Sequence, residues 1–446
     1  MAEARYRSTV KEHQHRVLAL APLLPADTRP VDEASGLTLA ADATATLDLP
    51  PWDNSAMDGY AVRSADTTRA SPEAPVRLHL VAELPAGTEA DPELAPGRAA
   101  RIMTGAPMPT DADAVVPLEE AVGWDPAAPT AGTETPAHVE LHRPAEAGRH
   151  LRRRGDDVRA GDLVSPAGRP LTPHRQSALA AAGIAEVRVR RRPRVVVVST
   201  GSELVAPGAS VRRGQIPDSN SLLLASLVES CGGQVVHRGR VSDDPAELQA
   251  VLRSTHGGSD AVILTGGASV GAHDVARLVL APDSPGGTVP STHRPTPDAG
   301  RPVPEDPAVR FDRVAVQPGK PQGFGLLADG RAVWSLPGNP VSAWVSYLLF
   351  VEPGLLAMQG RDAPVAPWVP VITDEGWRSP PGREQFVPAR VVSAPGEPLR
   401  IAQATERGSG SHLAGRMARA SGLARVPATT DAVSAGDTVL YRALEA

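Results

Sequence analysis

Residues Asp260 to Asp274 read DAVILTGGASVGAHD. Ala261, Val262, Ile263 and Leu264 form a short unbroken apolar run. Such a run suits a strand buried on both faces, as in parallel sheets. Gly266 and Gly267 break it. From Thr265 to Gly271 the chain is rich in Gly, Ser and Thr, so its backbone N–H groups can approach an anion closely. Asp274 follows just beyond. A phosphate cradle beside a carboxylate suits a metal–phosphate ligand. A strand, a turn and a surface Asp would account for the same letters, because short glycine motifs recur widely.

The flanking sequence has the same rhythm. Arg194 to Thr200 is a β-branched run entering the small-residue turn at Gly201. Asp218, Ser219 and Asn220 offer an N-cap for a helix from Leu222 to Glu229, and Gly232–Gly233 close it. Val235 to Val241 reads as a second strand. Asp243, Asp244 and Pro245 open a second helix, to Arg253. Strands alternating with such helices predict a parallel, right-handed βαβ sheet. Ligands of these sheets bind beyond the carboxyl ends of the strands. Ser199 to Glu203 and Thr265 to Asp274 both fall there, so the two loops can face one ligand. Val314 to Val316 reads as a further strand leading to Lys320. After Ser335–Leu336–Pro337–Gly338, Asn339 can cap and Pro340 can begin a helix to Met358, with Trp344, Leu348 and Leu355 on its buried side. Its N-terminus favours an anion.

Composition narrows the classes. A chain of 446 residues exceeds one core and predicts three or four domains. Its net charge of −6 gives no case for generic nucleic-acid binding. Cys231 is the only cysteine, which excludes an intrachain disulfide and a thiolate metal cluster. The N-terminus is polar, and no run of 18 apolar residues exists, so neither a signal peptide nor a membrane span is expected. The expected location is cytoplasmic. Of 45 basic residues only Lys11 and Lys320 are lysine. Lys320 lies in Gln317–Pro318–Gly319–Lys320–Pro321, where a compact ammonium differs in kind from a planar guanidinium.

Elsewhere the reading is coarser. Residues 1–24 predict a helix with an apolar face of Val10, Val17, Leu18 and Leu20 to Leu24, ended by Pro25. Pro50 to Ala61 (PPWDNSAMDGYA) concentrates turn chemistry, with Trp52 and Tyr60 in one loop. Residues 62–143 read as short strands, among which Thr104 and Gly105 can present a hydroxyl and a bare N–H to an oxyanion, or simply end a strand. His138 and His142 lie too far apart on a strand to share a metal. Residues 149–168 are dense in charge and suit a solvated loop, local ion pairs or an anion site. Pro173 to Ala182 predicts a helix ended by Gly183, residues 281–307 an exposed insertion, and Trp368 to Ala446 a small β domain. Arg383 and Ser411 are polar contributors there, or ordinary surface.

Taken together, PPWDNSAMDGYA, IMTGAPMP, DADAVVPLE, RRRGDDVRAG, STGSEL, DSNSLLL, ILTGGASVGAHD, PGKP and LPGNPVSAW resemble, in order, the molybdopterin molybdenumtransferases: the bacterial MoeA-type enzymes and the E domain of gephyrin. The resemblance is clear over residues 1–360 and weaker beyond. It implies a multidomain α/β plus β protein and an elongated homodimer. The expected divisions are an N-terminal and linker helical dimerisation domain (1–48 and 144–186), a β-rich domain (49–143), a molybdopterin-binding α/β domain (187–360) and a C-terminal β-barrel (361–446). It implies insertion of molybdate into adenylylated molybdopterin with release of AMP, assisted by Mg²⁺, in a cleft shared by two subunits. Catalytic positions carried over are Asp58, Thr104, Glu203 and Asp274, with Glu203 and Asp274 also as metal ligands. Substrate or anion positions are Asp157, Gly266, Gly267, Ser269, Lys320, Pro337, Asn339, Arg383 and Ser411.

Two residues depart from the family pattern. Ser202 stands where an acidic residue is common, which weakens a second metal contact. Gln317 stands where another Lys is common, which lowers molybdate affinity by ~1 kcal/mol or more. Two other classes stay open: a related molybdopterin adenylyltransferase, which leaves the Asp58 and Thr104 loops unexplained, and a non-catalytic scaffold.

Overall fold

The computed structural model describes residues 8–122, 138–266, 274–280, 308–405 and 414–444. The apolar runs place the central sheet. Its strands run in the order Gln234–Val241, Arg194–Thr200, Ala261–Thr265, Ala332–Leu336, Pro321–Leu326 and Arg310–Arg313. The first four are parallel, as the βαβ rhythm predicts. The last two are antiparallel, so the sheet is mixed. Side chains alternate between its faces. Val195, Val197, Ala261 and Ile263 pack with the Asn220–Ser230 helix on one side; Val196, Val198, Val262 and Leu264 pack with the Pro245–Ser254 and Val275–Leu280 helices on the other.

The helix expected from Pro340 to Met358 is present but not uniform. It runs α over Pro340–Ser346, widens to a π-turn over Tyr347–Val351, and resumes α over Glu352–Met358. It is long and apolar enough to cross a membrane, yet 89% of its apolar window is buried inside the fold. Rather than one buried side, it has partners all round. Gly354 lets it close on the sheet, since a Cβ there would stand 2.5 Å from the Trp334 ring. Carbonyls of the π-turn accept side-chain hydrogen bonds from distant segments, Leu349 O from Gln14 Nε2 (2.9 Å) and Leu348 O from Arg442 Nη1 (3.2 Å).

The helical N-terminal domain does not form. Among the described residues its part of the chain holds two α-helices, Val10–Leu20 and Pro173–Ala181, and a single 3₁₀ turn at Val31–Glu33. The first is shorter than expected: Thr9 and Glu12 form a capping box at its start, and Pro22 disfavours helix at the residue before it, so the last helical residue is Leu20. It docks on the central core, with Arg16 donating to Phe324 O and Ala308 O. The chain then turns to strand: Ala26–Pro30 and Thr38–Leu39 flank Glu186–Arg190 in a three-stranded sheet.

Four two-stranded sheets and two further six-stranded ones make up the rest of the described strands. One has the order Ala114–Pro117, Gly59–Val62, Arg98–Ile102, Val76–Leu84, His138–Leu141, Ala121–Val122. The other closes into a barrel-like ring, because Glu384–Val391 pairs with both Arg400–Gln403 and Gly422–Val426. The strand expected at Val314–Val316 is reduced to Val316–Gln317, and it joins this ring by pairing with Glu384 and Gln385. The 281–307 insertion lies outside the described residues.

Candidate functional site

The carboxyl ends of three parallel strands lie side by side at Thr200, Thr265 and Leu336. The turns leaving them touch. Gly266 has φ +110°, and a Cβ on it would stand 2.1 Å from Thr200 O; one on Gly338 would stand 3.2 Å from Gly266 Cα. At Gly266 only glycine allows this approach, and at Gly338 a side chain would be tight. Asn220 then ties the turns together. Its Nδ2 donates to Thr265 Oγ1 (3.0 Å) and to Gly338 O (2.7 Å), while Thr265 Oγ1 donates to Pro337 O (3.2 Å). Beside it, Asp218 Oδ1 accepts from Ser199 Oγ (2.8 Å) and Ser221 N (3.1 Å). The result is a set of touching turns at the strand ends, cross-linked by the buried Asn220, Thr265, Ser199 and Asp218 side chains.

The sheet places other expected residues on this same end. Glu203 is exposed in the turn after Gly201. Gly323 pairs antiparallel with Ser335, so Lys320, just before the Pro321–Leu326 strand, lies at the end where Pro337 emerges. Asn339 occupies the N-cap position and Pro340 the first helical turn, though the Asn339 side chain makes no capping bond. Asp274 is 8% exposed, and its Oδ1 accepts from Arg277 N (3.1 Å), capping the Val275–Leu280 helix. Gly267, Ser269 and Ser411 lie outside the described residues.

Ser202 and Gln317 have partners of their own. Ser202 N donates to Asp243 Oδ2 (3.1 Å), and Asp243 N donates to Ser202 Oγ (3.2 Å). A carboxylate at 202 would face the one on Asp243. Gln317 Oε1 accepts from Arg383 Nη1 (2.8 Å). Arg383 thus stands beside the Lys320 loop, held by a neutral amide.

Asp58 and Thr104 form a second group, on the six-stranded β sheet that contains Gly59–Val62. Asp58 Oδ1 accepts from Thr104 N (2.7 Å) and Thr104 Oγ1 (2.8 Å), and these bonds hold its carboxyl below the usual carboxylate range. Both residues are exposed. The loop carrying Asp157 is stitched alongside: Leu151 pairs with Ser55, Arg152 with Asn54, and Arg154 N donates to Asp53 Oδ1 (2.7 Å). Asp157 itself is exposed, with its N–H on Leu49 O. The charge-dense stretch is therefore a loop braced by local polar bonds. His142 follows the end of the strand that carries His138, and the residue opposite His138 is His79.

Asn220 is the functional-site candidate that sequence reasoning missed, since its place after Asp and Ser marks only a cap. Among the described residues no three His, Cys, Asp or Glu side chains cluster to hold a metal. Glu203 and Asp274 are oxygen donors of the type a hard cation takes, and Mg²⁺ commonly uses only one or two carboxylates, completing its shell with water and substrate phosphate.

Three family descriptions match successive parts of the chain: the MoeA N-terminal region (domain I and II) over residues 8–183, a probable molybdopterin binding domain over 196–283, and the MoeA C-terminal region (domain IV) over 370–444. Molybdopterin molybdenumtransferase 2 of Mycobacterium tuberculosis is 38% identical over 429 residues, covering 96% of this chain and 97% of that protein. Molybdopterin molybdenumtransferase of Nostoc sp. is 32% identical, covering 97% and 93%. The crystal structure of the molybdopterin biosynthesis MoeA protein of Pyrococcus horikoshii superposes with a TM-score of 0.76 at 26% identity, covering 97% and 99%.

Proposed function

Since the chain belongs to the MoeA family of molybdopterin molybdenumtransferases, we propose that it inserts molybdate into adenylylated molybdopterin and releases AMP. The observation that carries the reading is the set of turns at the strand ends, where Gly266 and Gly338 let backbone approach backbone and Asn220 holds the turns in place. A pyrophosphate needs N–H donors and positive charge at short range. The start of the helix at Pro340 supplies the first, since the N–H groups of Gly201, Ser202 and Gly266 already donate to Val241 O, Asp243 Oδ2 and Leu336 O; Lys320 and Arg383 supply the second and attract molybdate. Pre-fixed dipoles and charges of this kind favour reaction by positioning and charge stabilisation.

Mg²⁺, when bound, would be held by Glu203 and Asp274 and would offset phosphate charge. Asp58 and Thr104 sit on a different sheet from the strand-end turns. In this reading a homodimer brings the Asp58–Thr104–Asp157 lip of one copy to the strand ends of the other, and Asp58 orients water or metal there. Apolar clusters around Leu39, Tyr60 and Val387 support the four-part division with boundaries near 48, 143, 186 and 360, while the cluster around Val197 also takes in Val10 to Leu24 and Phe386, Ala404 and Leu423, joining the first helix and part of the last division to the central core. Its substrates are water-borne, in keeping with work in the cytoplasm.

The test is direct. Purified protein incubated with adenylylated molybdopterin, Mg²⁺ and molybdate is expected to release AMP and yield active cofactor. Transfer of AMP from ATP onto molybdopterin would instead establish an adenylyltransferase. Binding without AMP release would establish a scaffold.

A further inference from the structure

His79 and His138 stand directly opposite each other on the Val76–Leu84 and His138–Leu141 strands, and both are exposed. His79 N donates to Gly97 O (2.9 Å), towards the Arg98–Ile102 side of its strand. In a regular strand the N–H and C=O of one residue point the same way, so the His79 backbone is directed away from His138. The two residues therefore form a non-hydrogen-bonded pair, the class with Cα atoms only about 4.5 Å apart and side chains in closest approach. Their ring centroids are 5.2 Å apart and their planes meet at 58°.

That separation has a chemical meaning. A zinc ion about 2.0–2.1 Å from one nitrogen of each ring lies about 3.2 Å from each centroid, and at a tetrahedral angle the centroids are then about 5.2 Å apart. We propose that His79 and His138 form a two-histidine clamp for a divalent transition ion of the Zn²⁺ class, with water completing the tetrahedron. Imidazole suits Zn²⁺ and does not suit Mg²⁺, so this ion is distinct from the one in the proposed active site. Glu140 is not a third ligand, because Arg77 Nε holds its carboxylate at 2.6 Å. Arg98 pairs with His79 from the other side, and its charge opposes a bound cation. With two protein ligands the ion is exchangeable. It pins one strand pairing and leaves AMP release unchanged.

Metal-free full-length protein titrated calorimetrically with ZnCl₂ tests this. His79→Asn and His138→Asn are each expected to remove one site or weaken it at least ten-fold, and the double variant to match either single one. His174→Asn is the control and keeps the site; Arg98→Ala tightens it a few-fold; MgCl₂ does not fill it. In the unaltered chain, ZnCl₂ is expected to protect both His79 and His138 from diethylpyrocarbonate, mapped by mass spectrometry. Equal zinc uptake by the unaltered chain and both variants, or modification of the two histidines unaffected by zinc, overturns the proposal.

Discussion

At the strand ends, Asn220, Thr265 and Thr200 are buried and bonded to one another through turns that admit no side chain. On the opposite group, Asp58 and Thr104 hold each other in the open, on loops stitched to neighbouring loops. The first arrangement is fixed by the same packing that holds the core, so its geometry and the stability of the fold are one quantity. The second is fixed locally, so it can be altered with the fold intact. In the proposed dimer, rigid strand-end turns served by an adaptable lip would be a reasonable division of labour, since the lip has to meet a substrate already seated.

Gly266→Ala should break this contrast most severely. The new Cβ would strike Thr200 O, and φ +110° is strained for any L residue. A loss of about 2–4 kcal/mol in thermal or urea unfolding is expected, with AMP release lost as well. Asn220→Leu should cost about 1–3 kcal/mol, because Gly338 O and Thr265 Oγ1 lose a buried donor. If it unfolds the chain no more easily than an exposed substitution does, the claim that these turns are part of the core fails.

The cations sharpen the functional side. Lys320→Ala is expected to raise the molybdate requirement about ten-fold while Lys11→Ala, on the solvent side of the N-terminal helix, leaves it unchanged. Gln317→Glu should raise it by a smaller factor, because a carboxylate there would neutralise Arg383 instead of merely holding it. AMP release at saturating molybdate separates this change in affinity from a change in turnover.

Asp58→Asn should have the smallest effect on stability, below about 1 kcal/mol for an exposed pair. Its sign is set by the lowered carboxyl. The contribution is present above the unfolded carboxylate value of about 3.9 and is lost as pH falls through the lower folded value. Unfolding curves of the two proteins should therefore differ near neutrality and converge in acid. A gap that widens in acid would contradict the Thr104 bonds as its cause.

The inner strands Arg194–Thr200 and Ala261–Thr265 were legible because they are apolar, rich in β-branched residues and buried. Burial on both faces leaves such a pattern few alternatives. The antiparallel half was not, since Pro321–Leu326 contains two glycines and a buried Gln322 whose role is to bond Gly319 O and Ser346 Oγ. The end of the first helix was misplaced because Pro22 was outweighed by the leucines around it. The π-turn leaves no mark in a segment that is apolar throughout. Candidate positions could be placed at the strand ends where backbone chemistry decides the turn, at Gly266, Pro337 and Asn339. The bonds between positions were illegible where a side chain reaches across the chain, as Asn220 does to Gly338 and Arg383, itself named from the sequence, does to Gln317. Such bonds are set by tertiary packing, and local pattern carries no record of them.

The π-turn also has a bearing on synthesis. Leu349 O is clasped by Gln14, 335 residues earlier, and Leu348 O by Arg442, 94 residues later. A ribosome that has just released this helix holds a nascent chain with its most apolar segment complete and half of its clasp untranslated. Until Arg442 emerges and grips Glu352 as well, at 2.8 and 2.6 Å, that helix is the part of the polypeptide most in need of a chaperone.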